Sequence, residues 1–437
     1  MKLAPMIILS LSCGPLSAAV IEVAKNGPID SIQAGVDAAA AGDVIVVKAG
    51  VFDERVVVPV GKDGLRIKAK PGAILDGFDQ NGGIALTIAS DDVEVSGLTI
   101  RNPVTDADPG HGISVSGNRP RIRKCRFLAC EFRSIETTGA DPTIEDCKFV
   151  GSGLGIRISG SGLARVVDCA FELGFDSIQL DGPGSAVIVG CSFTNISGDG
   201  VGGDLVGSLD VVDCRFKDIS TDCVDVAVGG TITVRKNSVD GTRRAFLVSG
   251  ALMTLTDNTI RRTFKDSNSA IDVDLGTCDI RKNSIRDSNG TAIRIGPSAI
   301  GSVRNNKVQR CGSLGTAGIL IDAASDVTVA DNVLSRLGGD GIRIALGNGG
   351  AIVVDDNTIK DCGRDGIDVG AQATAAVVTN NVVRRCLAEG IENSGANATI
   401  TDNDAKQSRL DLANDGTATF TANVFTTGGE NVAPEID

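Results

Sequence analysis

Short stretches in which apolar and polar residues alternate run along almost the whole chain. The clearest form is a five-residue motif, as in HGISV (111–115), LGIRI (154–158) and DGIDV (365–369). In this motif a small residue is followed by an apolar, a variable and an apolar residue, which is the period of a half-buried strand. The β-branched content favours strands over helices as well. The pattern therefore predicts an all-β protein made of many short strands.

The strand motifs recur with a period of 22 to 25 residues in most of the chain, and the period is marked by a second pattern. Cysteines stand at Cys125, Cys147, Cys169, Cys191 and Cys214, and each is followed two residues later by phenylalanine. Asparagine then takes over this slot, and an apolar residue precedes the slot by three positions throughout. The asparagines are Asn237, Asn258, Asn283, Asn306, Asn332, Asn357, Asn381, Asn403 and Asn423.

One repeat of this size is too short to bury a core, so the repeats must stack on one another. Parallel strands stack at roughly 4.8 Å per coil. We therefore predict a right-handed, single-stranded parallel β-helix of about fifteen coils, on the order of 70 Å long. A fixed slot then lies over the same slot of the next coil, so phenylalanine rings stack inside the solenoid. The slot asparagines are expected to adopt the left-handed turn conformation and to form hydrogen bonds along the stack.

The cysteine row is best interpreted as part of the core. A straight row of thiols cannot surround a tetrahedral zinc ion. Stacked neighbours are also slightly too far apart for an unstrained disulfide. Cysteine is then a small, buried, weakly polar substitute for asparagine in the early coils.

The N-terminal part contains a different pattern. SIQAGVDAAAAGDVIVVKAGVFDERVVV (31–58) begins with a short amphipathic helix, with Ile32 and Val36 on one face and Ser31 or Asp30 as its cap. A strand, a turn at KAG and a second strand follow. Such a helix is expected to cover the open end of the solenoid.

This passage resembles the opening of the pectate-lyase-like right-handed β-helix superfamily, in which a capping helix precedes a strand close to GDVIVVKAGVFDE. The repeats from about residue 84 to 425 resemble the generic parallel β-helix repeats of that superfamily. The resemblance implies the fold and leaves the activity open, because this scaffold carries lyases, hydrolases, epimerases and adhesins. We expect a cap helix and first coils over 20–83, repeats over 84–425 and a polar tail over 426–437.

Composition and charge narrow the functional classes. The net charge of −13 argues against nucleic acid as a partner, because phosphate binding needs a basic surface. Residues 1–19 have the charge, apolar run and small residues of an export signal. An alternative is a lipoprotein anchor at Cys13. No other segment is apolar enough to span a membrane. A secreted, periplasmic or cell-surface protein is therefore expected.

Aspartates concentrate on one side of the middle coils. The positions are Asp176, Asp181, Asp199, Asp204, Asp222 and Asp225. Carboxylates about 5 Å apart on adjacent coils repel, and some must gain a proton or share a cation. Oxygen ligands suit Ca²⁺, and a proton-sharing pair suits acid–base chemistry on a glycosidic bond. The competing interpretation is a solvated face on which aspartate is favoured by the turns.

These positions give two sets of candidate site residues. The candidate catalytic set is Asp199, Asp204, Asp222 and Asp225, and the candidate Ca²⁺ set is Asp176, Asp181, Asp199 and Asp222. Arg157 and Arg244 are available as bases, although no lyase motif singles them out. The functional prediction is an exported protein that acts on or binds an extracellular polysaccharide. The alternative is a non-catalytic surface or structural solenoid.

Overall fold

The architecture was determined from a computed structural model, which describes residues 18–77, 83–101, 110–205, 207–264, 269–322, 326–346 and 351–426. The predicted signal segment over 1–19, with Cys13, and the predicted tail over 426–437 lie outside these ranges except for residues 18, 19 and 426. The described chain forms an all-β parallel solenoid of about 17 turns. The expected count of about fifteen is slightly low, because the coils before residue 101 lack the cysteine or asparagine marker.

The strands lie on three faces, and the pairings between neighbouring coils are parallel. The front face carries the five-residue motif. Its separate strands are Val56–Val58, Ile84–Ile88, His111–Val115, Arg133–Thr137, Leu154–Ile158, Asp176–Leu180, Val201–Leu205, Ala317–Asp322, Asp340–Leu346, Ile367–Gln372, Glu389–Asn393 and Leu410–Asn414.

The entry face precedes the Cys/Asn slot. Its separate strands are Val20–Val23, Val44–Val47, Arg66–Ala69, Glu94–Ser96, Arg121–Arg123, Thr143–Glu145, Leu163–Val167, Ser185–Val189, Leu209–Val212, Val327–Ala330, Ile352–Asp355, Ala376–Thr379, Ala398–Thr401 and Ala418–Thr421.

The exit face follows the slot. Its separate strands are Gly50–Asp53, Ala73–Asp76, Thr99–Arg101, Arg126–Leu128, Lys148–Val150, Ala170–Glu172, Ser192–Ile196, Thr259–Thr263, Ser284–Arg286, Lys307–Gln309, Val333–Leu337, Thr358–Cys362, Val382–Arg384, Asp404–Lys406 and Val424–Thr426. Four longer strands bend from one face to the next. Arg215–Arg235 and Ser238–Thr256 cross all three faces, whereas Ile271–Arg281 and Ile293–Arg304 cross the front and entry faces.

The interior is a continuous stack of like residues, as the repeat predicts. The rings of Phe127, Phe149, Phe171, Phe193 and Phe216 lie 4.5 to 5.0 Å apart and within 4° of parallel. The eleven described cysteines are buried free thiols. In the early coils each slot thiol contacts a carbonyl of the preceding coil, as Cys147 Sγ does with Ile122 O at 3.5 Å. Asparagine takes the same carbonyl contact in the later coils.

The asparagine ladder is confirmed, although its turn geometry differs from the expectation. Each slot amide donates to a carbonyl of the coil before and to the Oδ1 of the next slot, as in Asn258 and Asn283. The left-handed conformation belongs to the residue before the slot, for example Lys236, Asp257 and Lys282, with φ between 56° and 59°. The asparagine itself is buried, because its amide has to point into the solenoid to reach its neighbours.

The helix Ile32–Ala38 packs at the N-terminal end of the stack against the first strands. Ser31 caps it by accepting the Ala34 N–H at 3.1 Å, and the Glu54 carboxylate accepts two further N–H groups of the first turn. Ile32 and Val36 are buried. The helix thus covers apolar core at this end, as expected. Within the described ranges, the structure contains no helix with both the length and the apolar character needed to cross a bilayer.

Candidate functional site

The front face presents two rows of outward side chains. In a strand such as Asp176–Leu180 the second, third and fifth residues are buried, whereas the first and fourth reach the surface. Because coils stack in register, first positions lie over first positions and fourth over fourth. These two rows, together with the residues that follow each strand, are where the sequence placed the candidate aspartates.

Asp176, Asp199 and Asp222 lie on three consecutive coils and form a ladder through the backbone. The N–H of Asp199 donates to Asp176 Oδ1 at 2.8 Å, and the N–H of Asp222 donates to Asp199 Oδ1 at 3.0 Å. Asp199 also accepts the hydroxyl of Thr221 at 2.5 Å. Burial raises the pKa of Asp176. The three residues are therefore adjacent, as their spacing predicts, and two of the carboxylates each accept the backbone N–H of the next coil.

Two arginines pair with the carboxylate of Asp222. Its side chain is fully buried, and its Oδ2 lies 2.7 Å from Arg244 Nη2 and 3.1 Å from Arg243 Nη2. Arg244 also contacts Asp272, which Arg294 approaches to 2.8 Å. The sequence analysis noted Arg244 only as a spare base. The structure shows that it is one member of a row of alternating charges along the front face.

Of the four aspartates predicted to bind Ca²⁺, three lie on adjacent coils, and two of the four are paired with arginines. Asp181 is held by Arg157 at 2.9 Å and by the amide of Gln179 at 2.7 Å. Asp222 is enclosed by its arginines. Among the described residues, the groups of acidic side chains whose oxygens approach one another within 4.8 Å include none of the four. No three carboxylate oxygens of the predicted Ca²⁺ set therefore lie within 4.8 Å of one another.

Three of the four predicted catalytic residues do meet, in a cleft on the front face. Asp199, Asp204 and Asp225 line a cavity of about 420 Å³. An apolar trough of about 670 Å³ adjoins this cavity and shares part of its lining. We call the two together the central groove. Its lining comprises Gln179, Asp199, Gly202, Gly203, Asp204, Leu205, Asp225, Val226, Ala227, Val228, Gly229, Leu247, Ser249, Gly250, Ala251, Asp274, Leu275 and Gly276.

Small residues at the ends of successive front-face strands create this groove. Asp204 stacks on Ala227, which stacks on Ser249, so little side-chain volume fills the space beside the carboxylate. Gly203 has φ of 121°, and a Cβ there would lie 2.1 Å from the carbonyl oxygen of Leu180. Glycine is therefore required at this bend. The lining of the groove comes from five successive coils, or roughly 19 Å along the stack.

Asp204 and Asp225 differ from the other candidate aspartates because their carboxyl groups are unpaired. In the described part of the chain neither takes part in an ion pair or a side-chain hydrogen bond. The neighbours of Asp225 in the stack are Gly202 and Leu247, so no charged partner lies directly on either side. Burial, and then the charges of Asp222 and Asp199, raise the pKa of Asp225 to about 6.

A second acidic ladder, at Asp340, Asp365 and Glu389, was missed by the sequence analysis. Asp365 N–H donates to Asp340 Oδ1 at 3.1 Å, and Glu389 N–H donates to Asp365 Oδ1 at 2.9 Å. These residues occupy the position that Asp176, Asp199 and Asp222 occupy, one before the small residue of the motif. The same column, extended past residue 225, would have revealed them. We call these three residues the C-terminal acidic ladder.

The C-terminal acidic ladder is buried and partly neutralised. Arg343 and Arg364 pair with Asp340, and Arg409 pairs with Glu389. Burial, together with a side-chain hydrogen bond to Glu389, raises the pKa of Asp365 to about 8. Arg364 also approaches Asp365, at 3.4 Å.

Two overlapping groups in this region have carboxylate oxygens within 4.8 Å of one another. They are Asp340, Asp365 and Asp368, and Asp365, Glu389 and Glu392. Clustered carboxylate oxygens are the ligands that Ca²⁺ takes. Residues for a cation therefore meet here rather than at the predicted set.

A family model described as the right handed beta helix region matches residues 82–260 and 244–405, well over half of the chain. The chain belongs to this family. The handedness predicted from the sequence is thereby confirmed, as is the resemblance to right-handed β-helix proteins. A search of curated proteins finds no match.

Several solved structures resemble the fold of this chain at low sequence identity. PfbA, a surface adhesin of Streptococcus pneumoniae, has 13% identity and a TM-score of 0.50, over 73% of this chain and 88% of that one. A lacto-N-biosidase from Eubacterium ramulus has 12% identity and a TM-score of 0.39, over 78% and 67% of the two chains. An alginate lyase from Paenibacillus has 13% identity and a TM-score of 0.27, over 78% and 94%. The similarity to PfbA is one of fold alone. The similarity to the other two structures is too low to support a conclusion about this chain.

Proposed function

We propose that this β-helix protein works outside the cytoplasm and binds an extended carbohydrate chain in the central groove. The observation that carries the proposal is the pair of uncommitted carboxyl groups, Asp204 and Asp225, beside an open apolar trough. Ligand sites combine an apolar lining with a few polar groups that fix orientation. Sugar hydroxyls can donate to the carboxylates, and the C–H surface of the ring can pack against Leu205, Val228 and Leu275.

Hydrolysis of a glycosidic bond is a second candidate, and the pKa of Asp225 favours it. A carboxyl group that ionises near pH 6 can still donate a proton at mildly acidic pH. Asp204 is exposed and lines the same cleft, where it can act as base or nucleophile. Under this proposal Asp225 is the general acid. Asp222 has no direct role, because it lies beneath the surface.

The alternative is a surface solenoid that binds without turnover. The front face supports it, because Arg157, Arg244 and Arg294 are all committed to ion pairs and supply no free base. The surface adhesin PfbA has a similar fold. The two candidates predict the same binding site and differ only in whether a product forms.

A ligand panel with matched variants tests the proposal. Neutral glycans, amino-sugar polymers and polyuronates are titrated by calorimetry, and the mixtures are then analysed for new reducing ends, unsaturated ends or an altered uronate ratio. We expect binding of at least one glycan by the native protein and its loss in the Asp204→Asn, Asp225→Asn double variant. Asp331→Asn, an exposed turn residue distant in sequence, is the control that should bind normally. Equal binding by the double variant would show that the glycan does not bind in the central groove.

Calcium remains a proposal, with two competing locations. The predicted set centres on Asp199 and Asp222, whereas the spacing of oxygens supports the C-terminal acidic ladder. Melting curves with CaCl₂ and with chelator distinguish them, because an ion that binds only the folded state raises its stability. If the ladder binds Ca²⁺, Asp365→Asn abolishes the shift and Asp199→Asn leaves it intact. A shift lost only in Asp199→Asn would restore the original prediction.

A further inference from the structure

We propose that the central groove selects glycans that carry protonated amino groups over glycans that carry carboxylates. This inference rests on the proposed carbohydrate-binding function and names its substrate class. The occupant is an amino-sugar polymer, recognised by ammonium–carboxylate contacts and by packing of its rings on the apolar trough.

The charges that line the groove are all of one sign. Asp199, Asp204, Asp225 and Asp274 contribute carboxyl groups, and no Lys, Arg or His is among the described residues of the lining. Asp274 shares its charge with Arg294 at 3.0 Å, which leaves Asp204 and Asp225 without any pairing cation. A cleft lined by one sign of charge attracts the opposite charge and repels its own.

The nearest arginines cannot serve a carboxylate ligand without a large loss elsewhere. Arg243 and Arg244 are the pairing partners of Asp222, which is fully buried. If Arg244 turned toward a uronate, Asp222 would keep an incompletely compensated charge in the interior, which is strongly unfavourable. Arg294 is likewise shared among Asp272, Asp274 and Asp322. The arginines beside the groove are therefore already paired with aspartates of the protein.

The positions of the carboxyl groups in the groove, as well as their charge, suit an amino sugar. Asp204 is exposed at the boundary between the polar cleft and the apolar trough and belongs to both. A ring packed on Val228 and Leu275 therefore lies beside a free carboxylate. Asp225 offers a second carboxylate in the polar cleft, at the fourth position of the motif on the next coil. Two carboxylates beside an apolar trough match a chain that bears both ring faces and ammonium groups.

The preference should depend on pH in one direction. Burial and the charges of Asp222 and Asp199 raise the pKa of Asp225 to about 6, against the opposing effect of Arg244 and Arg243. It is ionised at pH 7.5 and mostly protonated at pH 5. Below about pH 6 the amino groups of a glucosamine oligomer are already protonated, so further acidification removes one of the two attracting charges without adding charge to the ligand. Binding of the amino glycan should weaken toward pH 5, and binding of an uncharged glycan should not.

The test uses oligosaccharides of equal length that carry ammonium groups, no charge or carboxylates. A glucosamine oligomer, its fully N-acetylated counterpart and a galacturonate oligomer are titrated into the full chain at pH 6.5, where the glucosamine amines carry charge. We expect the amino oligomer to bind about tenfold or more tighter than the acetylated one, equivalent to about 1.4 kcal/mol, and the galacturonate to bind weakest. Added salt should reduce the difference. Asp204→Asn with Asp225→Asn should abolish the preference, and Asp331→Asn should preserve it.

The outcomes separate this inference from the proposed function. Equal binding of the amino and acetylated oligomers, or tighter binding of galacturonate, overturns the charge selection and leaves carbohydrate binding standing. A preference that survives the double variant also overturns it, because the net negative charge of the whole protein would then be the cause. Absence of binding to any oligomer overturns both. Spermine, which carries charge without sugar rings, should bind more weakly than the amino oligomer if the apolar trough contributes.

Discussion

The asparagine ladder offers the sharpest quantitative test of the fold, and Asn283 is its best-defined member. The side chain of Asn283 takes part in four hydrogen bonds. Its amide donates to Leu255 O at 2.8 Å and to Asn306 Oδ1 at 3.0 Å. Its Oδ1 accepts the backbone N–H and the side-chain amide of Asn258, at 3.0 and 2.9 Å. Asn283→Ala deletes all four and leaves the buried N–H of Asn258 without its acceptor.

A net value of roughly 1 kcal/mol per buried hydrogen bond predicts a loss of about 4 kcal/mol. Asn283→Cys should cost less, because thiols occupy the same slot in the early coils and contact a carbonyl of the preceding coil. Asn289→Ala is the matched control, since Asn289 is exposed and outside the ladder. It should change stability by less than about 0.5 kcal/mol.

Urea unfolding measures the overall change, and amide hydrogen exchange locates it. Stability in a solenoid is approximately a sum over coils and their interfaces, so the loss should be concentrated around the slot. The amide of Asn258 should exchange faster in Asn283→Ala, while amides in the first coils keep their protection. Equal destabilisation by Asn283→Ala and Asn289→Ala would refute the assigned coil register. Unchanged exchange at Asn258 would refute the hydrogen-bond accounting.

Three further predictions concern the core and the buried charges. Phe171→Ala should cost about 3–5 kcal/mol and Cys169→Ala about 1–2 kcal/mol in urea unfolding, because the phenyl ring stacks on two neighbours whereas the thiol makes weak contacts; similar losses would contradict the stacked core. Asp222→Asn should destabilise the protein by about 3–5 kcal/mol, because it removes the buried carboxylate that pairs with Arg243 and Arg244 and leaves Arg244 only its longer contact with Asp272; a stabilised variant would instead support repulsion among aspartates. The pKa of Asp365 rises from 3.8 to about 8 on folding. As the pH rises, the carboxyl group therefore ionises in the unfolded chain before it ionises in the folded protein. The free energy of unfolding should fall as the pH rises from about 4 to about 8. Asp365→Asn should flatten that fall in melting temperatures measured across the range, and an unchanged slope would show that the proton is not held there.

Each repeat of the sequence adds one coil along the axis of the solenoid, and for that reason much of the fold was predictable. Residues one period apart must stack, so the Cys125 and Asn283 slots, the phenylalanine column and the adjacency of Asp199 and Asp222 followed from spacing alone. The cap formed by Ser31 followed from local chemistry. These features depend on backbone position, which a regular repeat specifies.

Features that depend on how far and in which direction a side chain reaches required the tertiary structure. Spacing showed that Asp222 lies beside Asp199, yet only the structure shows Arg243 and Arg244 turning inward to neutralise it. The left-handed residue falls one position before Asn283 because the asparagine amide must point inward, which spacing cannot show.

The central groove also depends on the three-dimensional structure. It exists because small residues from four coils leave unfilled volume beside Asp204 and Asp225, and unfilled volume is a property of packing rather than of periodicity. The sequence thus determined which residues are neighbours. Packing decided which of the neighbouring carboxylates are neutralised inside the protein and which remain free to meet a ligand.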